Sequence, residues 1–165
     1  MKKLWILPLL ILVLSGCSAQ ETLEIVSDIY AVPVSANASR LELTLPEEAA
    51  QPVMESDSGS LYLCEDYAVT VQTMEAGDVA HTLQSVTGFD REDLTVMQTE
   101  RDGVKRYECA WTAVGEGTDQ ICRTVILDNG CSHYAVTVMA DYAQAARLTD
   151  VWNHILDSAK LVSTD

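Results

Sequence analysis

Residues 94–140 read LTVMQTERDGVKRYECAWTAVGEGTDQICRTVILDNGCSHYAVTVMA, and this stretch decides the fold. Four runs rich in Val, Ile, Thr, Tyr and Trp, at 94–100, 104–114, 118–127 and 132–140, are separated by Asp102-Gly103, Gly115-Glu116-Gly117 and Asp128-Asn129-Gly130. β-Branched and aromatic side chains suit a pleated, half-buried surface, and Asp, Asn and Gly supply the positive-φ positions of tight turns. Turns this short can only reverse a strand onto its neighbour, because a parallel return needs a crossover of about a dozen residues or more. The stretch therefore predicts a four-strand antiparallel meander.

Upstream, Asp78 is placed as an N-cap, Val79, Leu83 and Val86 recur at helical spacing, and Gly88 suits the left-handed position that ends a helix. A short middle helix is expected there, covering an edge or end of the sheet. Before it, 60–64 and 67–74 predict a hairpin across Glu65-Asp66, with Tyr67, Val69 and Val71 on one face. Leu41, Leu43 and Leu45 alternate with polar residues and stop at Pro46, as a half-buried strand does, and 47–58 reads as a loop. Downstream, Asp141 and Gln144 have capping-box spacing. Leu148, Trp152, Ile155 and Ala159 then line one face of a helix over 142–160, with Trp152 the largest anchor. The class is α+β: an antiparallel sheet of six to seven strands, packed by a long C-terminal helix and the short middle one.

Two segments carry a family resemblance. Val79 to Phe89, ending in Thr87-Gly88-Phe89, and the terminal Trp152-x-x-Ile155-Leu156-x-Ser158 resemble segments of small PsbP-like lipoproteins, and the whole string is similar to lipoproteins of anaerobic Gram-positive bacteria. The resemblance implies a middle helix, a four-strand meander and a C-terminal helix, in modules that serve mostly as binding or accessory domains. It brings no catalytic residues to carry over.

The N-terminus gives an address. Lys2 and Lys3 precede an apolar run from Leu4 to Val13 broken by Pro8, too short to span a bilayer, which takes roughly 20 residues. Leu14-Ser15-Gly16-Cys17 resembles the lipobox of bacterial lipoproteins, in which the thiol takes a diacylglycerol and cleavage precedes the cysteine. Residues 1–16 are expected to be a signal peptide, 17–40 a lipid anchor and tether with a short docked turn around Leu23 to Tyr30, and 41–165 a single globular domain. The partner this implies is a membrane, reached through lipid on Cys17.

The chain carries a formal charge of −15, and removing Lys2 and Lys3 with the signal makes it −17. Such acidity excludes nucleic acid, whose phosphates need basic patches, and opposes lying flat on an anionic leaflet. A monomer is expected, held off the membrane, with an unidentified protein or small molecule as any further partner.

Four cysteines remain for the mature domain: Cys64, Cys109, Cys122 and Cys131. Outside the cytoplasm an even number admits disulfides, and buried free thiols are the alternative. A tight turn through Gly115 to Gly117 would set Cys109 opposite Cys122 and leave Cys64 and Cys131 as the second pair. No CxxC pair is present to suggest a thioredoxin-like or zinc-ribbon site.

Nothing in the sequence assembles a catalytic motif. There is no G-x-S-x-G, HExxH or phosphate-cradling glycine loop, and His81, His133 and His154 stand apart from one another. Each reads as a surface or structurally satisfied histidine before a base or ligand. Asp90-Arg91-Glu92-Asp93 could gather oxygens around a cation, but acids in that pattern also open a short helical turn. Tyr107, Trp111 and Tyr134 could line a cleft, although a chain with one Phe needs them as core. No catalytic, cofactor-binding or metal-ligating residue is assigned, and no cofactor is expected. The function expected is a non-catalytic binding or accessory domain. The alternatives are a hydrolase or thiol-redox enzyme and, behind these, a cation sensor.

Overall fold

In the computed structural model, residues 24–26, 29–32, 39–114 and 118–163 are described; the signal, Cys17 and the lipobox lie outside them. The meander forms as its turns dictate: β7 (Val96–Arg101), β8 (Val104–Ala113), β9 (Gln120–Asp128) and β10 (Ser132–Asp141) pair antiparallel in chain order. Asp102 and Gly103 both take positive φ, at 54° and 80°, the backbone of a two-residue hairpin whose twist matches its strands.

β4 (Met54–Ser56), β5 (Gly59–Leu63) and β6 (Ala68–Glu75) complete a seven-strand sheet by pairing β6 along β10, in the order β4-β5-β6-β10-β9-β8-β7. The crossover from β6 to β7 carries α1 (Val79–Thr87). Asp78 caps it by accepting from Ala80 N at 2.9 Å, and Gly88 closes it at φ 80°. The chain then forms α2 (Tyr142–Ser158). The expected capping by Asp141 is not made: its carboxylate accepts from the Thr118 hydroxyl at 3.0 Å instead.

The sheet is buried on both faces, which is why β10 is closed to solvent along nine consecutive residues. On one face, Tyr62, Val69, Val71, Val125, Tyr134, Val136 and Val138 pack under Leu148, Trp152, Ile155 and Leu156 of α2. On the other, Ala68, Tyr107, Cys109, Trp111, Cys122, Ile126 and Met139 pack with Leu83 of α1 and Leu94. Strand alternation assigns each residue to its face, as expected for Tyr67, Val69 and Val71.

The strand inventory also differs from the sequence reading. β3 (Ser39–Thr44), which carries Leu41 and Leu43, does not join the main sheet. It belongs to a second sheet, in the order β1-β2-β3-β11, with β1 (Glu24–Val26), β2 (Ile29–Val32) and β11 (Lys160–Ser163). Its leucines pack into the α2 side of the core, so burial sets its alternation although its hydrogen bonds go elsewhere. Strands β1 and β2 fall within 17–40, the stretch expected as tether, and β11 begins at Lys160, the residue on which the expected helix would have ended. β4 replaces β3 at the count of seven and interrupts the loop expected over 47–58.

Candidate functional site

The side of the sheet under α1 holds a buried polar line. His133 is the second residue of β10, opposite Met74 and Asp128, and alternation turns it towards α1, where it is fully buried. Its Nδ1 is hydrogen-bonded to Thr82 Oγ1 of α1 at 2.7 Å. Its Nε2 lies 3.6 Å from Asp128 Oδ1 and makes no hydrogen bond. Asp128 Oδ1 is engaged by Gly130 N at 2.7 Å in the β9–β10 turn. Hydroxyl, imidazole and carboxylate in this order have the sequence of a nucleophilic relay. A relay must meet a substrate, and Thr82 and His133 are 5% and 0% exposed. The line instead fastens α1 to the β9–β10 turn.

Farther along the same face lie the thiols. Cys109 stands opposite Thr124, and Cys122 opposite Trp111, so the register is offset by two residues from the one expected. Ala113 pairs with Gln120, which makes the connection longer than the three glycine-framed residues and shifts the register with it. An offset of two keeps both thiols on one face but makes them diagonal neighbours. Burial pushes Cys109 up to about 11 despite nearby Arg91, and Cys122 up to about 12 despite a backbone hydrogen bond from Ala113. The second expected pair is ruled out by topology. Cys64 N bonds Tyr67 O just before β6, and Cys131 O accepts from Ala76 N just after it. Eight residues of strand separate them, roughly 25 Å, where a disulfide needs Cα atoms within about 7 Å.

A cavity of about 290 Å³ opens where the second sheet meets the end of α2, lined by Glu42, Leu43, Thr44, Asp157, Ser158 and Lys160. Burial raises the Glu42 pKa, but Lys160 Nζ at 3.2 Å and Arg40 Nη2 at 3.0 Å outweigh it and hold the carboxyl below the usual range. Ser158 Oγ donates to Ile155 O at 2.7 Å and accepts from Thr44 N at 2.9 Å. Arg106 closes the helix end by donating to Leu156 O at 3.0 Å and Glu108 at 2.6 Å. Glu42 is engaged by Lys160, and the Ser158 hydroxyl by the backbone of Thr44 and Ile155.

The remaining sequence candidates do not converge. His81 and His154 are exposed on separate helices. Asp90 to Asp93 form a 3-10 turn, with Asp90 accepting from Gln84 at 2.6 Å, and among the described residues no three His, Cys, Asp or Glu gather as a metal site. Tyr107, Trp111 and Tyr134 are buried core; Trp111 Nε1 donates to Thr124, which bonds Thr137 in turn. Sequence reasoning missed the Thr82–His133 bond and the closure of α2 by Arg106. Both join residues about fifty apart that no local pattern links.

No protein-family model and no curated protein sequence matches the chain. Solved structures do. The crystal structure of LpqN, described as involved in cell envelope biogenesis of Mycobacterium tuberculosis, superposes with a TM-score of 0.50 at 13% identity, covering 81% of this chain and 91% of that one. The solution structure of cyanobacterial PsbP, CyanoP, from Synechocystis sp. PCC 6803 gives 0.52 at 8% identity, covering 90% and 99%. At such identities the likeness shows the fold alone, a PsbP-like α+β domain.

Proposed function

We propose that this chain is an extracytoplasmic lipoprotein, anchored through lipid on Cys17, whose domain acts by binding rather than by catalysis. The observation that carries the second half is accessibility: the Thr82–His133 pair and the thiols of Cys109 and Cys122 are buried on the α1 side of the sheet, with His133 and Cys122 at 0% exposure. The raised pKa values of Cys109 and Cys122 also oppose redox use of that pair, which needs an accessible thiolate at neutral pH. The lipobox resemblance at 14–17 supports the anchor, and among the described residues no helix is long and apolar enough to cross a membrane. The description of LpqN as an envelope-biogenesis protein supports an accessory role at a cell envelope.

Metabolic labelling with a fatty acid tests the anchor. The wild type is expected to carry label and pellet with membranes, and Cys17→Ala to carry none; label that persists in Cys17→Ala overturns it. The non-catalytic half is tested with His133→Gln and Cys122→Ala in cells lacking the native copy. Stable variants are expected to retain function; loss of function in a variant that folds to wild-type levels would favour the enzyme reading.

A further inference from the structure

Among the described residues β7 pairs with β8 alone, and its outer side is the longest open edge in the fold: six residues, against three for β4, three for β1 and four for β11. Residues 97–101 are all exposed although successive side chains point to opposite faces, so neither helix overhangs the strand. Arg101 and Val104 close the two-residue hairpin and exchange both of their hydrogen bonds. The alternation of an antiparallel ladder then turns Met97 and Thr99 towards β8 and leaves the N–H and C=O of Val96, Gln98 and Glu100 pointing outwards. Open edges are ordinarily blunted by Pro, by a bulge or by charge. β7 holds no Pro, its pairing with β8 is unbroken over six residues, and its two charges, Glu100 and Arg101, are opposite in sign.

Charge selects the occupant. Within 96–108, Glu100, Asp102 and Glu108 are balanced by Arg101, Lys105 and Arg106, so the whole of the chain's −15 resides elsewhere. Two copies of so acidic a chain repel at most approaches, and a locally neutral edge is where they repel least. The strand is also its own complement. With Gln98 on a two-fold axis, Gln98 faces Gln98, Val96 faces Glu100 and Met97 faces Thr99, so every outward residue meets an outward residue and no like charges stand opposite. Met97, 63% exposed, is brought diagonally against its own counterpart. A register centred on Glu100 sets like charges face to face, and one centred on Thr99 leaves Val96 opposite the turn.

We infer that two copies of this chain pair antiparallel along β7, about a two-fold axis at Gln98, and join their seven-strand sheets into one. Because each copy offers the same surface, the contact closes at two. This departs from the monomer expected from the sequence and does not depend on the binding reading above. The test uses the full chain in detergent micelles and a short bifunctional thiol reagent. Gln98→Cys is expected to cross-link to a dimer far more than the wild type or Asp150→Cys, an exposed position on α2. Adding Met97→Lys, which sets two like charges beside the axis at an exposed site, should abolish the cross-link. Adding Glu100→Pro should do the same, because it removes an outward N–H and leaves the bonds to β8 in place. Equal cross-linking of Gln98→Cys and Asp150→Cys overturns the inference. So does a cross-link that survives either second substitution in a chain that melts as its parent does, or a ladder of higher oligomers, which marks an open-ended contact. Failure here leaves the lipid label and the His133→Gln result intact, so the two readings fall separately.

Discussion

A single buried hydroxyl decides how firmly α1 sits on the sheet. Thr82→Val keeps the shape of the side chain but strands Nδ1 of His133, whose Nε2 already lacks a hydrogen bond. The expected loss is about 1–3 kcal/mol in urea unfolding, and His133→Phe, which removes both polar atoms, should cost less when combined with Thr82→Val than the two changes added. Strict additivity would show that the bond contributes nothing. The thiols set an alkaline limit. Cys109 and Cys122 are raised from 9.0 to about 11 and about 12, so between these values the unfolded chain has released protons that the folded chain keeps. Stability is then complete below pH ~9 and falls towards pH 12, by at most about 1.4 kcal/mol per pH unit per thiol. Thermal melts at pH 8 and 10.5 should show the fall, and Cys122→Ala should flatten it relative to its own value at pH 8. Neither feature was legible in the sequence. His133 read as an isolated histidine opening a strand, because its partner is on a helix 51 residues away; the thiols were legible as a same-face pair but not in their register.

The elements whose ends carry chemical punctuation were legible, and those defined only by what they lie against were not. Asp78 and Gly88 marked α1, and Asp102-Gly103 fixed the β7–β8 hairpin, because caps and positive-φ turns are local demands on the backbone. β4 and β11 are three and four residues long, and what holds them is a neighbour's free edge rather than a pattern of their own. β3 was legible as a buried strand, but its partner was not, since alternation reports a buried face and is silent on which strand accepts the hydrogen bonds. Gly59 shows what close pairing inside the sheet demands: a Cβ there would run into the carbonyl oxygen of Val71 in β6. Gly59→Ala should therefore cost about 1–3 kcal/mol as β5 is pushed off β6. Gly77→Ala, where nothing lies within 4 Å and φ is not positive, should be neutral or slightly stabilising. Equal urea midpoints for the two variants would remove the close approach as the reason for glycine at 59. Trp152, 2% exposed at the centre of the α2 face, was legible as the anchor, and Trp152→Ala should cost about 3–5 kcal/mol.

At the scale of the molecule, charge and burial act in opposite directions. The sheet closes both faces with apolar residues, while the chain without its signal carries −17, from −15 less the two lysines at positions 2 and 3. The acids are spread over strands, helices and turns, so the compact state brings together charges that the unfolded chain holds farther apart, and self-repulsion lowers its stability. Salt shortens the Debye length from about 30 Å at 0.01 M to about 8 Å at 0.15 M, and screening that repulsion should raise the melting temperature across that range. Any loss from screening is small by comparison, because the ion pairs include exposed ones such as Arg101–Asp102, at 93% and 89% side-chain exposure, which add little to stability. A generic field of this kind answers to ionic strength and not to ion identity. Sodium chloride and calcium chloride matched in ionic strength should thus raise the melting temperature of the signal-free chain by similar amounts. A saturable rise at micromolar calcium would instead mark a site selective for the native state and revive the cation-sensor alternative, with Asp90, Glu92 and Asp93 the first carboxylates to replace by amides.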